Sequence, residues 1–420
     1  MWGKRAKQNG NCGHEEGQIF KGLARKASAA AILAFLSLYS ANAQMPSAAS
    51  KATTAEITRV HSEAKKAQEL RGIFVSMPSL EAYNRDPNLD KAISKIASTG
   101  FNVIEVEVMN TYGSAYYRSK IVPRDKSYFA HFAASDPLTD VIRDSLSHNV
   151  KVWAWVHPFT GNKELYRLHP DWFAVDDTGN VSHRYLDFLN SHVRKYTLSM
   201  LEELAANYQI SGINLDIELP RSMVSYSAKD ISLFAKGNKL NGVTVASVTN
   251  GRYNAAWNAW TENTLYSFLA NCYHELKSEK KIVVSYDVVS NPSYAYYYED
   301  WPQLLKRKSV DVLEPMLYWR DDGYRYTMIK AITENDIWII KSMRSSAKIM
   351  VVLGGSKKMT YDISGNEWRS ALSGARQGGS KDVAVFAYEC IKQNSVWYSI
   401  KKYFSKNSSG MPSEADSKPK

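Results

Sequence analysis

Three cysteines in 420 residues are too few for a disulfide framework. Cys12 precedes a segment that reads as a cleaved leader. Of the other two, Cys272 falls in a helical pattern and Cys390 ends a strand-like run, and neither position argues for a bridge. Beyond the leader no apolar run is long enough to span a bilayer as a helix. Zinc-finger and RNP-type motifs are absent and the lysines and arginines are dispersed, which argues against a nucleic-acid partner. Gly354-Gly355 lacks the Lys-Ser/Thr ending of a phosphate-binding loop and reads as a strand-to-loop turn. No second histidine stands at ligand spacing from His157, so neither a metal nor another cofactor is expected. Cys–His and Ser–His–Asp sets do not assemble, and no solenoid-length repeat is present.

What remains is an ordinary globular composition, 44% hydrophobic and 23% charged, with a formal net charge of +11. That charge favours anionic surroundings such as acidic glycans or a cell envelope. The 26 tyrosines and 11 tryptophans suit stacking on sugar faces, although most aromatics of any chain fill its core. Lys21, Arg25 and Lys26 precede the apolar run from Ala29 to Tyr39, and Ala41-Asn42-Ala43 follows. This is the order of a secretory signal peptide over residues 1–43, which places the mature protein outside the cytoplasm, secreted or periplasmic. Residues 44–69 read as a linker or one surface helix. Residues 405–420, rich in Ser, Gly, Pro and Lys, read as a disordered tail.

Between them lie eight strand-like runs: Leu70–Met77, Asn102–Met109, Val150–Pro158, Ile210–Glu218, Lys281–Val289, Asp311–Trp319, Lys348–Gly355 and Asp382–Cys390. Amphipathic stretches separate them, so residues 70–404 are expected to form an α/β fold, a (β/α)8 TIM barrel. The length exceeds the roughly 250 residues typical of that fold. The largest insertion follows the fourth strand, near Arg221–Gly251, where it is placed to form a lid or a subsite wall.

Barrel chemistry sits at the C-terminal strand ends. The fourth run is the most telling. In Ile213-Asn214-Leu215-Asp216-Ile217-Glu218-Leu219 apolar and polar residues alternate, which puts Asn214, Asp216 and Glu218 on one face. Two carboxyls roughly 6–7 Å apart along a strand repel and lose hydration if buried for packing alone. Such a pair suits a mouth where one acid keeps its proton while the other ionises. The other strand-end candidates are Glu105, Glu107, Trp155, His157, Asp287, Glu314, Tyr318 and Glu389. His157 is expected to bind a sugar hydroxyl. Trp155 reads as a sugar platform, and Trp153, deeper in the strand, as core filling.

Several segments occur in a telling order: His169-Pro170-Asp171-Trp172, Leu186-Asp187-Phe188-Leu189-Asn190-Ser191-His192-Val193-Arg194, Tyr208, and Gly212-Ile213-Asn214-Leu215-Asp216. With Arg71-Gly72, Gly100-Phe101-Asn102, Asp136-Pro137-Leu138, Trp155 and Pro315-Met316-Leu317-Tyr318-Trp319, this succession resembles the glycosyl hydrolase-like 10 group. That group comprises bacterial envelope (β/α)8 barrels and is distinct from the family 10 xylanases. The resemblance covers about residues 70–390 and implies cleavage of bacterial polysaccharides, including peptidoglycan glycan strands. Departures exist. The group often has Asn where His157 stands and Arg where Leu219 stands, with Arg221 a shifted substitute. Asp216-Ile217-Glu218 is instead similar to the strand-four end of family 18 chitinase-type barrels, with Ser211 and Asn214 replacing two of that motif's acids.

The reading is a glycoside hydrolase acting on an envelope or matrix polysaccharide, preferably a 2-acetamido glycan. Glu218 is the general acid, held protonated by Asp216 and desolvation. Asp216 attacks or stabilises the anomeric carbon, or orients a substrate acetamido group, to which Tyr318 donates a hydrogen bond. Asp287 and Glu314 are reserve carboxylates, unless each is an interior ion pair with an Arg or Lys. Glu107, His157, Trp155, Trp319, Arg221 and Glu314 complete the expected substrate contacts. The rival reading is a non-catalytic glycan-binding barrel.

Overall fold

The computed structural model describes residues 69–84, 89–131, 135–217, 224–279, 281–290, 300–320, 325–354 and 363–407. The leader, nearly all of the linker and most of the tail lie outside these residues, as do Glu218, Leu219, Arg221 and Gly355. The last helix, Asn394–Asn407, takes in Ser405 and Lys406, which composition alone assigns to the tail.

Ten strands are present: β1 (Arg71–Ser76), β2 (Val103–Glu107), β3 (Lys151–Val156), β4 (Phe173–Val175), β5 (Val181–Leu186), β6 (Gly212–Asp216), β7 (Val283–Val289), β8 (Val312–Tyr318), β9 (Lys348–Gly354) and β10 (Asp382–Val385). Eight of them close into a parallel barrel in the order β1-β2-β3-β6-β7-β8-β9-β10, with helices in the connections. Each barrel strand falls inside one of the eight expected runs. Parallel strands are covered on both faces, so their sequences read as nearly unbroken apolar segments. The eighth strand is shorter than expected: it stops at Val385, and Tyr388–Cys390 is a single 3-10 turn. Cys272 and Cys390 are both buried free thiols. Among the described residues no helix is long and apolar enough to cross a membrane.

Period-two alternation sorts the strands into two cores. Ile73, Val75, Ile104, Val106, Ile213 and Leu215 face outward and pack under the helices, in a layer that also buries Trp257 and Trp368. Phe74, Trp153, Trp155, Met316, Tyr318, Met350 and Phe386 fill the barrel itself.

Two connections are long. Residues 157–211, between β3 and β6, contain the antiparallel pair β4–β5. Its turn is built by Asp176, whose Oδ1 accepts from the N–H groups of Thr178 and Asn180 at 2.9 and 2.8 Å, with Gly179 at φ +92°. In this connection Trp172 stacks on His169, the Asn190 amide donates to Asp171 O at 3.1 Å, and Arg194 donates to Phe188 O and Leu189 O at 2.8 and 2.7 Å. Asn190 also caps the helix Ser191–Asn207. The second connection, residues 217–282, carries the helices Ala228–Gly237, Val245–Thr249 and Asn254–Glu279. Its described start docks on the hairpin, since Tyr226 N–H donates to Val175 O at 2.7 Å and the Tyr226 ring stacks on Trp257.

Gly212 is required by its neighbour. A Cβ there would come within 2.7 Å of the Trp153 indole. Gly212→Ala is expected to overpack the barrel and to destabilise it by about 1–3 kcal/mol. Urea unfolding would show this as a lower midpoint at an unchanged m-value.

Candidate active site

At the C-terminal end of the barrel, a cavity of about 290 Å³ is lined by Ser76, Glu107, Thr111, Trp155, His157, Phe159, Thr160, Arg184, Tyr185, Asp216, Ile217, Met316, Tyr318 and Phe386. Ser76, Glu107, Asp216 and Tyr318 are the last residues of β1, β2, β6 and β8. Inward alternation ending at the strand terminus is what brings side chains so distant in sequence to one place.

Asp216 is held from below. The Trp155 indole N–H donates to its Oδ2 at 3.2 Å, and His157 Nδ1 lies 3.4 Å from the same oxygen. On the other side of the imidazole, Nε2 is 3.6 Å from Glu107 Oε1. One imidazole is thus flanked by two carboxylates, and all three side chains are only 10–12% exposed. A protonated imidazole here would offset both acids. Trp155, expected as a sugar platform, lines the cavity and also holds Asp216. Its ring is 7% exposed and packs edge-on against Phe74 and Phe386, while its N–H orients Asp216.

Beneath the cavity lies a sealed layer of acids. The Asn214 amide donates to Asp287 Oδ1 and to Glu314 Oε1, both at 3.1 Å. Glu105 and Glu314 are wholly buried, with their carboxyls close enough for Glu105 to feel the charge of Glu314. Burial, followed by the charges of Glu314 and Asp287, pushes the Glu105 carboxyl far above the ordinary range. Burial also pushes Glu314 up to about 7, opposed by neighbouring polar groups, the Asn214 amide among them, that favour its charged form. Burial thus favours the protonated form of Glu105 in this layer. Gly72 makes room for this group, because a Cβ there would stand 2.9 Å from Glu105 Oε1.

This layer corrects two expectations. Glu314 is no sugar ligand: it sits four residues before Tyr318 on β8, about 13 Å lower along the strand. Nor is it an ion pair with Arg or Lys among the described residues: the Asn214 amide is what it bonds. Asp287 pairs in register with Asp216, but it is 5% exposed, bonds to Asn214 and is not among the residues lining the cavity. Trp319 is a further correction. It follows the inward-facing Tyr318 and so points outward, donating to Glu367 Oε1 at 2.8 Å and packing on Trp368. Glu389 lies past the end of β10 and accepts from Ser76 N–H and Oγ, both at 2.9 Å. Glu218 and Arg221 lie outside the described residues.

Sequence reasoning missed Ser76, Thr111, Phe159, Thr160, Arg184, Tyr185, Ile217, Met316 and Phe386 as lining residues. Arg184 and Tyr185 come from β5, and Tyr185 bridges to Thr160 just after β3. The signal was the Asp-Asp-Thr-Gly-Asn turn at residues 176–180 between two short apolar runs, which marks a hairpin. None of the described residues of the 221–251 insertion lines the cavity, so among the described residues the subsite wall comes from the hairpin. No group of three His, Cys, Asp or Glu among the described residues is arranged to hold a metal ion.

The sequence pattern described as "Glycosyl hydrolase-like 10" matches residues 69–357. No curated protein matches the chain. Among solved structures, the fold resembles the PgaB (BpsB) glycoside hydrolase domain from Bordetella bronchiseptica, with TM-score 0.64 at 15% identity, covering 81% of this chain and 100% of that one. It also resembles a β-galactosidase from Rahnella sp. R3 (TM-score 0.59, 12% identity, 82% of this chain and 56% of that one). A third likeness is the catalytic domain of β-amylase from Paenibacillus polymyxa (TM-score 0.55, 12% identity, 80% and 98%). At these identities the likeness is one of fold, a (β/α)8 barrel shared with glycosidases.

The acid layer makes a pH prediction. A carboxyl raised in the folded state keeps a proton that the unfolded chain has already lost. Its contribution is complete below the unfolded value near 4.3 and fades as pH rises through the folded value. For Glu314 that window runs from roughly pH 4.3 to about 7. Wild type should lose stability across it, by up to about 1.4 kcal/mol per pH unit for one proton. Glu314→Gln should flatten the Tm-against-pH profile there, and an unchanged slope would assign the pH dependence to other groups.

Proposed function

Because the chain belongs to the glycosyl hydrolase-like 10 family, we propose that it is a secreted or periplasmic glycoside hydrolase of an envelope or matrix polysaccharide. The preferred substrate is a 2-acetamido glycan such as peptidoglycan strands, and the reaction is hydrolysis of its O-glycosidic bonds. The observation that carries the proposal is Asp216, fixed by Trp155 and His157 in a cavity at the catalytic end of the barrel. The net charge of +11 and the leader-like N-terminus support an anionic, extracytoplasmic setting.

In this reading Asp216 serves the anomeric centre. It either stabilises developing positive charge or orients a substrate acetamido group whose oxygen attacks. Tyr318, the last residue of β8, lines the same cavity and supplies a hydroxyl to that group. Glu218, two residues past Asp216 in the sequence, is the proton donor to the leaving oxygen. His157 and Glu107, side by side in the cavity, position sugar hydroxyls. Asp287 acts from below through Asn214, in a supporting role.

Product analysis on peptide-free peptidoglycan, chitin and a neutral glucan tests this. Asp216→Asn and Glu218→Gln should each cut turnover on the order of a hundredfold to a thousandfold or more, while glycan affinity stays near wild type. A wild-type protein that binds amino-sugar polymers without cleaving any of them would make it a glycan-binding barrel instead.

A further inference from the structure

Arg184 stands apart from every other residue at the site. Among the described lining residues it alone carries a permanent positive charge. Its side chain is already held: Nε donates to Thr111 O at 2.9 Å, and the guanidinium carbon lies 5.4 Å from the Tyr112 ring centre and 5.1 Å from that of Tyr185. Such anchoring prepays the ordering that a long side chain normally loses on binding. The two terminal amino groups make no hydrogen bond or ion pair with any described residue. An arginine fixed by Nε and by aromatic faces, with its outer fork unspent at a cavity, is built to receive a planar anion.

We infer that Arg184 forms a carboxylate subsite, so that the glycan bound in this cavity carries an acidic substituent, as in a uronate or a lactyl-ether sugar. The inference deepens the glycan-hydrolase reading and rests on it for the nature of the ligand. A monoanion fits better than a phosphate. Glu107 and Asp216 line the same cavity, and one guanidinium among two acids cannot offset a dianion. The fork also matches the two coplanar oxygens of a carboxylate. Arg184 arises from β5, whereas Asp216 and Glu107 end barrel strands, so the sugar that carries the acid is selected by the hairpin and the bond to be cut is chosen by the barrel.

The test uses matched oligosaccharide pairs: a 2-acetamido disaccharide with a lactyl-ether carboxylate against its carboxamide, and a glucuronate-containing oligosaccharide against its methyl ester. Calorimetric binding to the wild-type protein should favour the acid of at least one pair by about tenfold to a hundredfold, and this preference should shrink with added salt. Arg184→Gln should erase the preference, and Arg184→Lys, which keeps charge but loses the fork, should restore part of it. Equal affinity for both members of each pair, no binding of any probe, or an undiminished preference in Arg184→Gln would overturn the subsite. Turnover of the same probes reports separately on the hydrolase reading: acid-selective binding without cleavage leaves the subsite standing, and cleavage without acid selectivity removes it.

Discussion

The Asn214 carboxamide is the piece on which the interior depends. Its two N–H bonds go to Asp287 and Glu314, carboxyls on the two strands next round the barrel from β6. Among the described residues, five acids point into this barrel at and below the mouth: Glu105, Glu107, Asp216, Asp287 and Glu314. Burying them together would drive the strands apart unless donors and protons intervene. Asn214 supplies donors to two, and burial favours the neutral form of Glu105. Asp216, one pleat higher, is left to the Trp155 indole and the His157 ring. The acid available to substrate is thus supported by a floor whose own acids are occupied.

Outside the barrel, the residues that carry the family pattern act mostly as architecture. His169, Asp171, Trp172, Asn190 and Arg194 lace the β3–β6 connection around the start of the helix Ser191–Asn207. Asp136 caps its own helix through one oxygen and accepts from the Tyr208 hydroxyl at 2.6 Å through the other, joining two distant pattern residues. Asp187 and Asp230 form a second buried acid pair in this region. Burial and the Asp230 charge raise the Asp187 carboxyl, and the Arg194 guanidinium lies close enough to feel both.

The strands were legible for a simple reason. A parallel strand is covered on both faces, so β-branched and aromatic residues accumulate in short runs that stand out between amphipathic helices. All eight barrel strands were found this way, as was the inward face of β6. Depth was not legible. Alternation says which way Glu314 points but not that it lies far below the mouth, and only closure of the ring shows which level of each strand is open. Trp319 was misread because a motif was taken as a unit, although neighbours on a strand face opposite sides. The hairpin was hidden by length, since β4 has only three residues and does not make a run.

The amino-acid sequence by itself determined the barrel, its inward-facing acids and the family, because these follow from local periodicity and from residue order along one chain. Tertiary structure alone decided which acid meets the cavity, which acids are sealed together, and that an arginine from a short hairpin joins them. Those outcomes depend on distances between residues far apart in the chain, set by the register of eight strands around a closed ring, and no local pattern encodes that register.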